Sequence, residues 1–455
     1  MTRATIAGGV LATALLLLAL YAGSRAFERG ADPAGATSPA STASTTRTAE
    51  EAQSGTGTHP GFLYGRITTV DGAIYEGRLR WGGDQEAFWG DYFNGAKNEN
   101  PWIAHVPAGR LPKESYPVEV LGFEITRRER PAELHRFFMA RFGDIARIET
   151  RADDVRVTLK SGAVFDLERL EASDFDDGVR VWDGKRGAVD LDSLRIRSVE
   201  LLPTAQPGAA ASRLYGTVRT RQGDFTGFVQ WDREECVGSD ELDGRTDDSK
   251  VSLRFDTIRS IARRSPDSSL VTLLDGREIA LSGTPEVGEG NRGVYVDDPR
   301  YGRVLVSWGA FERVDFSPGG DGPAYGDFPP GSPLTGSVTT RDGRRLAGRL
   351  VYDFDESETT ETFDAPSQGV NYTIPFGLIA SIISPGHGET GAQRARVTLQ
   401  NGEELQLERV GDLGAGNAGL LIFVDGGRPE YVPWTEVERV DLERPPAMYP
   451  PLGGP

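Results

Sequence analysis

The sequence predicts an all-β chain of three tandem repeats, each made of two similar halves. A glycine phrase recurs at Leu63-Tyr64-Gly65, Leu214-Tyr215-Gly216 and Leu334-Thr335-Gly336. A three-step mark of mainly apolar residues closes every half. The composition suits many short strands and turns, with 57 glycines and 28 prolines in 455 residues and a hydrophobic content of 38%.

Ahead of the repeats, residues 4–22 form an uncharged Leu/Ala-rich run, preceded by Arg3 and followed by Arg25 and Arg29. It is long enough to cross a bilayer as a helix. It exceeds the apolar core of an ordinary secretory signal, so residues 1–29 are expected to be an uncleaved signal-anchor. A single-pass protein of the cytoplasmic (inner) membrane with its bulk outside the cytoplasm follows. The small residues Ala22, Ser24 and Ala26 leave the alternative of a cleaved signal and a secreted or periplasmic protein. Residues 30–61 are dominated by Ala, Ser, Thr and Gly and read as a disordered tether. Such a segment reaches about 100 Å fully extended and averages nearer ~30 Å as a coil.

The first half of each repeat opens on the glycine phrase. A turn glycine follows (Gly72, Gly223, Gly343), then a strand glycine (Gly77, Gly227, Gly348), then an aromatic residue (Trp81, Trp231, Tyr352). In repeat two this predicts a strand over 216–220, a turn at 221–223 and a return strand over 225–231. With a two-residue period, Phe225, Gly227, Val229 and Trp231 share the inward face. The glycine is then the point where the strand bends. These halves end in Phe142-x-x-Ile145-x-x-Ile148, Phe255-x-x-Ile258-x-x-Ile261 and Phe376-x-x-Ile379-x-x-Ile382. The spacing fits a strand end, one 3₁₀ turn and a new strand, because i and i+3 eclipse in a 3₁₀ turn.

The second halves open with hairpins around Gly162, Gly276 and Gly402, and middle strands follow at 178–181, 293–296 and 419–424. They close on Ser193-x-x-Ile196-x-x-Val199, Trp308-x-x-Phe311-x-x-Val314 and Trp434-x-x-Val437-x-x-Val440. Both halves therefore share one plan of hairpin, middle strand, fourth strand, 3₁₀ turn and fifth strand.

That plan resembles the SH3-like and Sm-like small β-barrels, whose last two strands are joined by a single 3₁₀ turn. The resemblance implies six five-stranded barrels in three pairs: repeat one over 62–203, repeat two over 213–318 and repeat three over 333–443. Linkers at 204–212 and 319–332 separate them, and an irregular tail covers 444–455. The paired arrangement, with Glu289-Gly290-Asn291-Arg292-Gly293 and Ala415-Gly416-Asn417-Ala418-Gly419 before the middle strands, is similar to repeats of uncharacterised exported bacterial proteins. That likeness implies no activity.

The formal charge of -18 repels phosphate backbones and argues against nucleic-acid binding. Cys236, the single cysteine, excludes an internal disulfide, and its neighbours Glu234 and Glu235 disfavour a thiolate. The four histidines (His59, His105, His135, His387) fall in no metal-pair or nucleophile-elbow pattern. No cofactor, metal or catalytic residue is assigned. Asp174-Phe175-Asp176-Asp177 and Asp353-Phe354-Asp355-Glu356-Ser357-Glu358 alternate oxygens as calcium loops do, but lack the remaining EF-hand ligands. They read as solvated turns. Asn291 and Asn417 read as turn formers, and Trp81, Trp231, Trp308 and Trp434 as core.

The repeats disagree in one place. Repeat one carries an insertion at about 84–138 holding Trp89, Tyr92, Phe93, Trp102 and His105. These five are the candidate binding residues, since aromatic side chains anchor interfaces; capping of the array's end is the structural alternative. The functional expectation is a non-enzymatic, membrane-anchored scaffold of the bacterial envelope, binding an envelope protein or glycan. The alternative is an exported hydrolase of peptide or glycan with a site near His105 and His135.

Overall fold

The computed structural model describes residues 59–82, 85–110, 113–120, 123–131, 136–151, 153–170, 172–205, 212–320, 322–384, 394–424 and 427–446, with the backbone alone over 113–131. The expected membrane span at 4–22, most of the tether, His135, His387 and most of the tail lie outside these residues. Among the described residues no helix is long and apolar enough to cross a membrane.

The fold is all-β, as expected. Repeat one runs β1 (Tyr64–Thr69), β2 (Ile74–Trp81), β3 (Tyr92–Lys97), β4 (Lys113–Val120), β5 (Phe123–Pro131), β6 (Arg136–Arg141) and β7 (Ile145–Thr150). Its second half is β8 (Asp154–Leu159), β9 (Val164–Glu168), β10 (Val179–Asp183), β11 (Gly187–Leu191) and β12 (Ile196–Leu201). Repeat two runs β13 (Tyr215–Thr220), β14 (Gly223–Gln230), β15 (Glu241–Arg245), β16 (Lys250–Arg254) and β17 (Ile258–Ser265). Then come β18 (Ser268–Leu273), β19 (Glu278–Ser282), β20 (Val294–Asp298), β21 (Gly302–Val306) and β22 (Phe311–Phe316). Repeat three holds β23 (Thr335–Thr340), β24 (Arg345–Tyr352), β25 (Thr362–Ser367), β26 (Val370–Pro375) and β27 (Ile379–Ile383). It closes with β28 (Arg394–Leu399), β29 (Glu404–Glu408), β30 (Leu420–Phe423), β31 (Glu430–Val432) and β32 (Val437–Leu442). Four of the six expected 3₁₀ turns stand at Phe142–Asp144, Phe255–Thr257, Phe376–Leu378 and Trp434–Glu436, whereas 193–195 and 308–310 are turns without 3₁₀ geometry.

The pairing corrects one expectation: the halves do not close into barrels. In repeat one the order is β11-β10-β2-β1-β12-β7-β8-β9-β3-β6. The opening hairpin β1–β2 therefore lies between β12 and β10, both from the second half. The hairpin β8–β9 of the second half lies between β7 and β3 of the first. Repeat two repeats this order, and repeat three does so apart from its strands β25–β26, which leave for the neighbouring sheet. The physical reason is that the two fifth strands pair with each other, as in Ile148↔Val199, Ile261↔Val314 and Ile382↔Val440. Once they do, each hairpin finds its hydrogen-bonding partners in the opposite half.

The phrase glycines make this interleaving sterically possible. Gly216 and Gly227 face each other across the hairpin. A Cβ on Gly227 would fall 2.0 Å from the carbonyl oxygen of Asp297 on β20, and one on Gly216 2.5 Å from that of Asp315 on β22. Gly77 and Gly348 meet Trp182 and Phe423 in the same way. The strand glycine is thus a place where the carbonyl of the adjacent strand approaches too closely for a side chain, which is a close-approach role rather than the expected bend of a barrel strand.

Repeats two and three share one hydrophobic core, which includes Trp231, Phe311, Tyr372 and Trp434. Their sheets are joined at an edge, where β26 of repeat three pairs with β21 of repeat two. The segment 319–332, expected as a spacer, is instead a strap on repeat one. The Tyr325 hydroxyl donates to the Ile145 carbonyl at 2.8 Å, and Phe328 is buried where a Cβ on Gly143 would sit 2.5 Å from its ring.

Gly227→Val is expected to destabilise the chain by about 3 kcal/mol in denaturant unfolding, because the clash is with backbone that cannot swing away. Gly184→Ala, at a glycine with open space around it, should stay within about 0.5 kcal/mol.

Candidate functional site

The chemistry-bearing residues that recur in every repeat are bound to the frame. The aromatic residue ending each first hairpin reaches a helical turn in the second half. Trp231 Nε1 donates to the Glu286 carbonyl at 3.0 Å, the Tyr352 hydroxyl to the Asp412 carbonyl at 2.8 Å, and Trp81 Nε1 to the Asp174 carbonyl. The side chains of those same three acids accept a backbone N–H of the middle strand. Asn94 donates to Asp174 at 2.8 Å, Asp243 to Glu286 at 2.7 Å and Asp364 to Asp412 at 2.6 Å.

A second recurrent carboxylate precedes or opens the middle strand. Asp91 accepts the N–H groups of Glu86 and Ala87, both at 2.8 Å; Asp240 accepts those of Cys236 and Val237; Glu361 accepts those of Ser357 and Glu358. Asn291 and Asn417 form the expected turns, each accepting the N–H two residues on at 2.8 Å. A group that recurs three times and satisfies buried backbone donors is architecture.

These equivalences redraw the insertion. Because β3 matches β15 and β25, Trp89, Tyr92 and Phe93 belong to the common frame. Only residues 98–135 are extra, replacing the connections 246–249 and 368–369 of the other repeats. The five candidate residues accordingly divide. Phe93 is in the core of repeat one with Trp81 and Phe142. Trp89 is buried against Phe328 and the Arg141 guanidinium. Tyr92 is buried beneath Arg303 of repeat two. Trp102 and His105 are half-buried and both pack on Phe423 of repeat three, at ring separations of 6.1 and 5.7 Å. The part of the patch with ring surface open to a partner is therefore Trp102 and His105.

The acidic stretch 353–358, expected as a solvated turn, lies in a seam between repeats one and three. Lys97 Nζ sits 2.6 Å from Asp355 and 3.0 Å from Glu361, and Arg136 Nε 2.8 Å from Asp355. Beside them is a cavity of about 560 Å³ bordered by Asn94, Met139, Asp353, Glu356 and Asp412. Burial raises the Asp353 carboxyl to about 7 and pushes Glu356 and Asp412 well above the carboxylate range. Burial also works on Glu361, but the Lys97 ammonium and two backbone amides outweigh it and hold its carboxyl low. The arrangement is a charge-compensated clamp between repeats. Among the described residues no group of three or more His, Cys, Asp or Glu side chains is placed to hold a metal ion.

Sequence reasoning missed this seam because Lys97 and Asp355 are 258 residues apart. A weak signal existed: Lys97 and Arg136 flank the insertion, cations next to a strand that packs inward.

No protein-family model, curated protein or solved structure matches the chain. What the fold and site define is a class: an all-β repeat protein whose repeats are joined by buried ion pairs and an aromatic strap.

Lys97→Met should cost about 3–5 kcal/mol in denaturant unfolding, since it strands Glu361 as a buried unpaired charge. Stability should also fall as pH rises from 5 to 8. Burial, the largest cause in each, raises Glu235 to about 9 and Glu286 and Asp353 to about 7 in the folded chain, against about 4 unfolded. The stabilisation from their protonated forms is complete below about pH 4 and is lost as pH climbs through the folded values. A higher Tm at pH 5 than at pH 8 is the expected calorimetric result; a Tm rising over that interval would refute the assignment.

Proposed function

We propose that the chain is a non-enzymatic binding or scaffold protein of the bacterial cell envelope. Residues 4–22 hold it at the cytoplasmic membrane, and its repeats present surfaces to an envelope protein or glycan on the far side. The observation that carries this reading is the ribbon β4–β5. It is inserted where the other repeats have a short connection, so the sheet frame does not need it. It forms a sheet of its own, separate from the strands of the frame, and both of its outer edges carry main-chain groups that an extended partner segment can pair with. Ahead of it in the chain, Trp102 and His105 offer amphipathic ring surface of the kind that anchors partners.

The hydrolase reading draws less support. The His105 ring packs against Trp102 and Phe423, and the recurrent carboxylates of the frame are engaged by backbone donors.

Replacing residues 113–131 by a short Gly-Ser turn, with 98–110 left in place, should leave the Tm unchanged and abolish cross-linking to the envelope partner in membranes. Trp102→Ala should weaken the same cross-link. Full capture by a folded ribbon-less chain would remove this surface from consideration. Loss of a hydrolytic activity in His105→Ala with capture intact would favour the enzyme.

A further inference from the structure

The joint between repeats two and three shows how this fold extends itself. The fourth strand of a second half, β21, takes the fourth strand of the next first half, β26, as an added antiparallel neighbour. The register is Arg303↔Thr373, Val304↔Tyr372, Leu305↔Asn371 and Val306↔Val370. Val304, Val306, Val370 and Tyr372 are buried at the joint.

The same two kinds of strand recur elsewhere without this pairing. β11 of repeat one is the counterpart of β21: Asp183↔Gly187 and Val181↔Val189 match Asp298↔Gly302 and Val296↔Val304. β16 of repeat two is the counterpart of β26, since both run into the 3₁₀ turn that begins with Phe255 or Phe376. β11 and β16 each end a sheet. Other sheet ends abut neighbours. β6 borders the seam cavity. β25 lies against β29 through Ser367 and Gln368, which donate to Gln406 and Glu408. Tyr431 of β31 lies under Arg110.

The geometry points to self-association of this chain, head to tail, by pairing of β11 of one copy with β16 of the next. Transferring the register of the internal joint places Ala188 opposite Ser252, Val189 opposite Val251, Asp190 opposite Lys250 and Leu191 opposite Ser249. Val189 and Val251, both half-buried in the single chain, meet on the face where Val304 meets Tyr372. Asp190 and Lys250 meet on the solvent face, where their side chains are 70% and 66% exposed.

Each of these charges already holds a neighbour in its own sheet, Arg180 at 2.7 Å and Asp243 at 3.3 Å. The new pair would link Arg180–Asp190 to Lys250–Asp243, the last contact being diagonal because Arg245 stands directly opposite Lys250. Like edges are discouraged by the same charges: two β16 strands would bring Lys250 and Arg254 together, and two β11 strands their Asp190 residues. Because the two edges differ, the contact is heterologous and propagates into rings or open chains rather than closing as a twofold dimer.

The test is sedimentation velocity of the full chain in detergent over a concentration series, with charge-reversal variants. The wild type is expected to form concentration-dependent oligomers. Asp190→Lys and Lys250→Glu alone should each weaken association on the order of fivefold, as like charges come to face each other across the strands. The double variant should restore it, and all three should stay folded, with a Tm lowered by no more than the loss of one exposed ion pair per substitution allows. A wild type that stays monomeric throughout, association indifferent to Lys250→Glu, or a double variant no better than either single one would overturn the inference.

Discussion

In each repeat the fifth strand of one half pairs with the fifth strand of the other, and the rest of the architecture follows from that pairing. In repeat two Ser260, Ile261 and Ala262 oppose Asp315, Val314 and Arg313. A strand has two edges, and this pairing uses one edge of each fifth strand. The remaining edges are taken by hairpins from the opposite halves, β13 on β22 and β18 on β17. Neither half then keeps a complete set of partners of its own. In repeats one and two the repeat becomes the unit within which these strands find their partners, the condition a buried sheet must meet, whereas repeat three gives β25–β26 to the sheet of repeat two.

That exchange explains why the polar residues of the frame recur as they do. An open interleaved sheet leaves turns and strand starts facing inward, where unpaired N–H groups are costly. Asp174, Glu286 and Asp412 serve the middle strand of the opposite half, while Trp81, Trp231 and Tyr352 donate to the main chain beside them. Contacts between repeats use different means. The strap residues Tyr325 and Phe328 and the ion pairs of Lys97 and Arg136 join surfaces that share no strand, whereas repeats two and three are joined by an added strand. The molecule thus contains both a closed joint, buried and charge-compensated, and an extensible one, made by an edge.

Much of the local structure was legible in the sequence. Two-residue alternation around Phe225 and Trp231 gave the return strand, and the Phe-x-x-Ile-x-x-Ile spacing located the 3₁₀ turns, because both patterns reflect contacts within a few residues. The exchange of hairpins was not legible. A hairpin satisfied by its own half and one satisfied by the other half require the same inward Val and Phe, so the pattern is blind to partner identity. The candidate site divided for a related reason. Trp89, Tyr92 and Phe93 read as part of an insertion because repeat one is longer than the others over this stretch and length alone does not mark where the extra residues begin. The recurrent carboxylate Asp91, matching Asp240 and Glu361, marks them as frame. Asp353 to Glu358 looked like a solvated turn, since nothing nearby in sequence announces Lys97 and Arg136.

Disulfide trapping tests the hairpin exchange most directly. In a Cys236→Ser background, Arg219→Cys with Arg313→Cys places thiols on directly opposed residues of β13 and β22. In a half that closed on itself, Arg219 would instead face Ser260 of β17, the residue equivalent to Arg313. The exchanged fold predicts rapid oxidation of the 219/313 pair and little of a 219/260 pair, with the wild-type Tm retained. Efficient closure of the 219/260 pair, with the 219/313 pair left reduced, would contradict it.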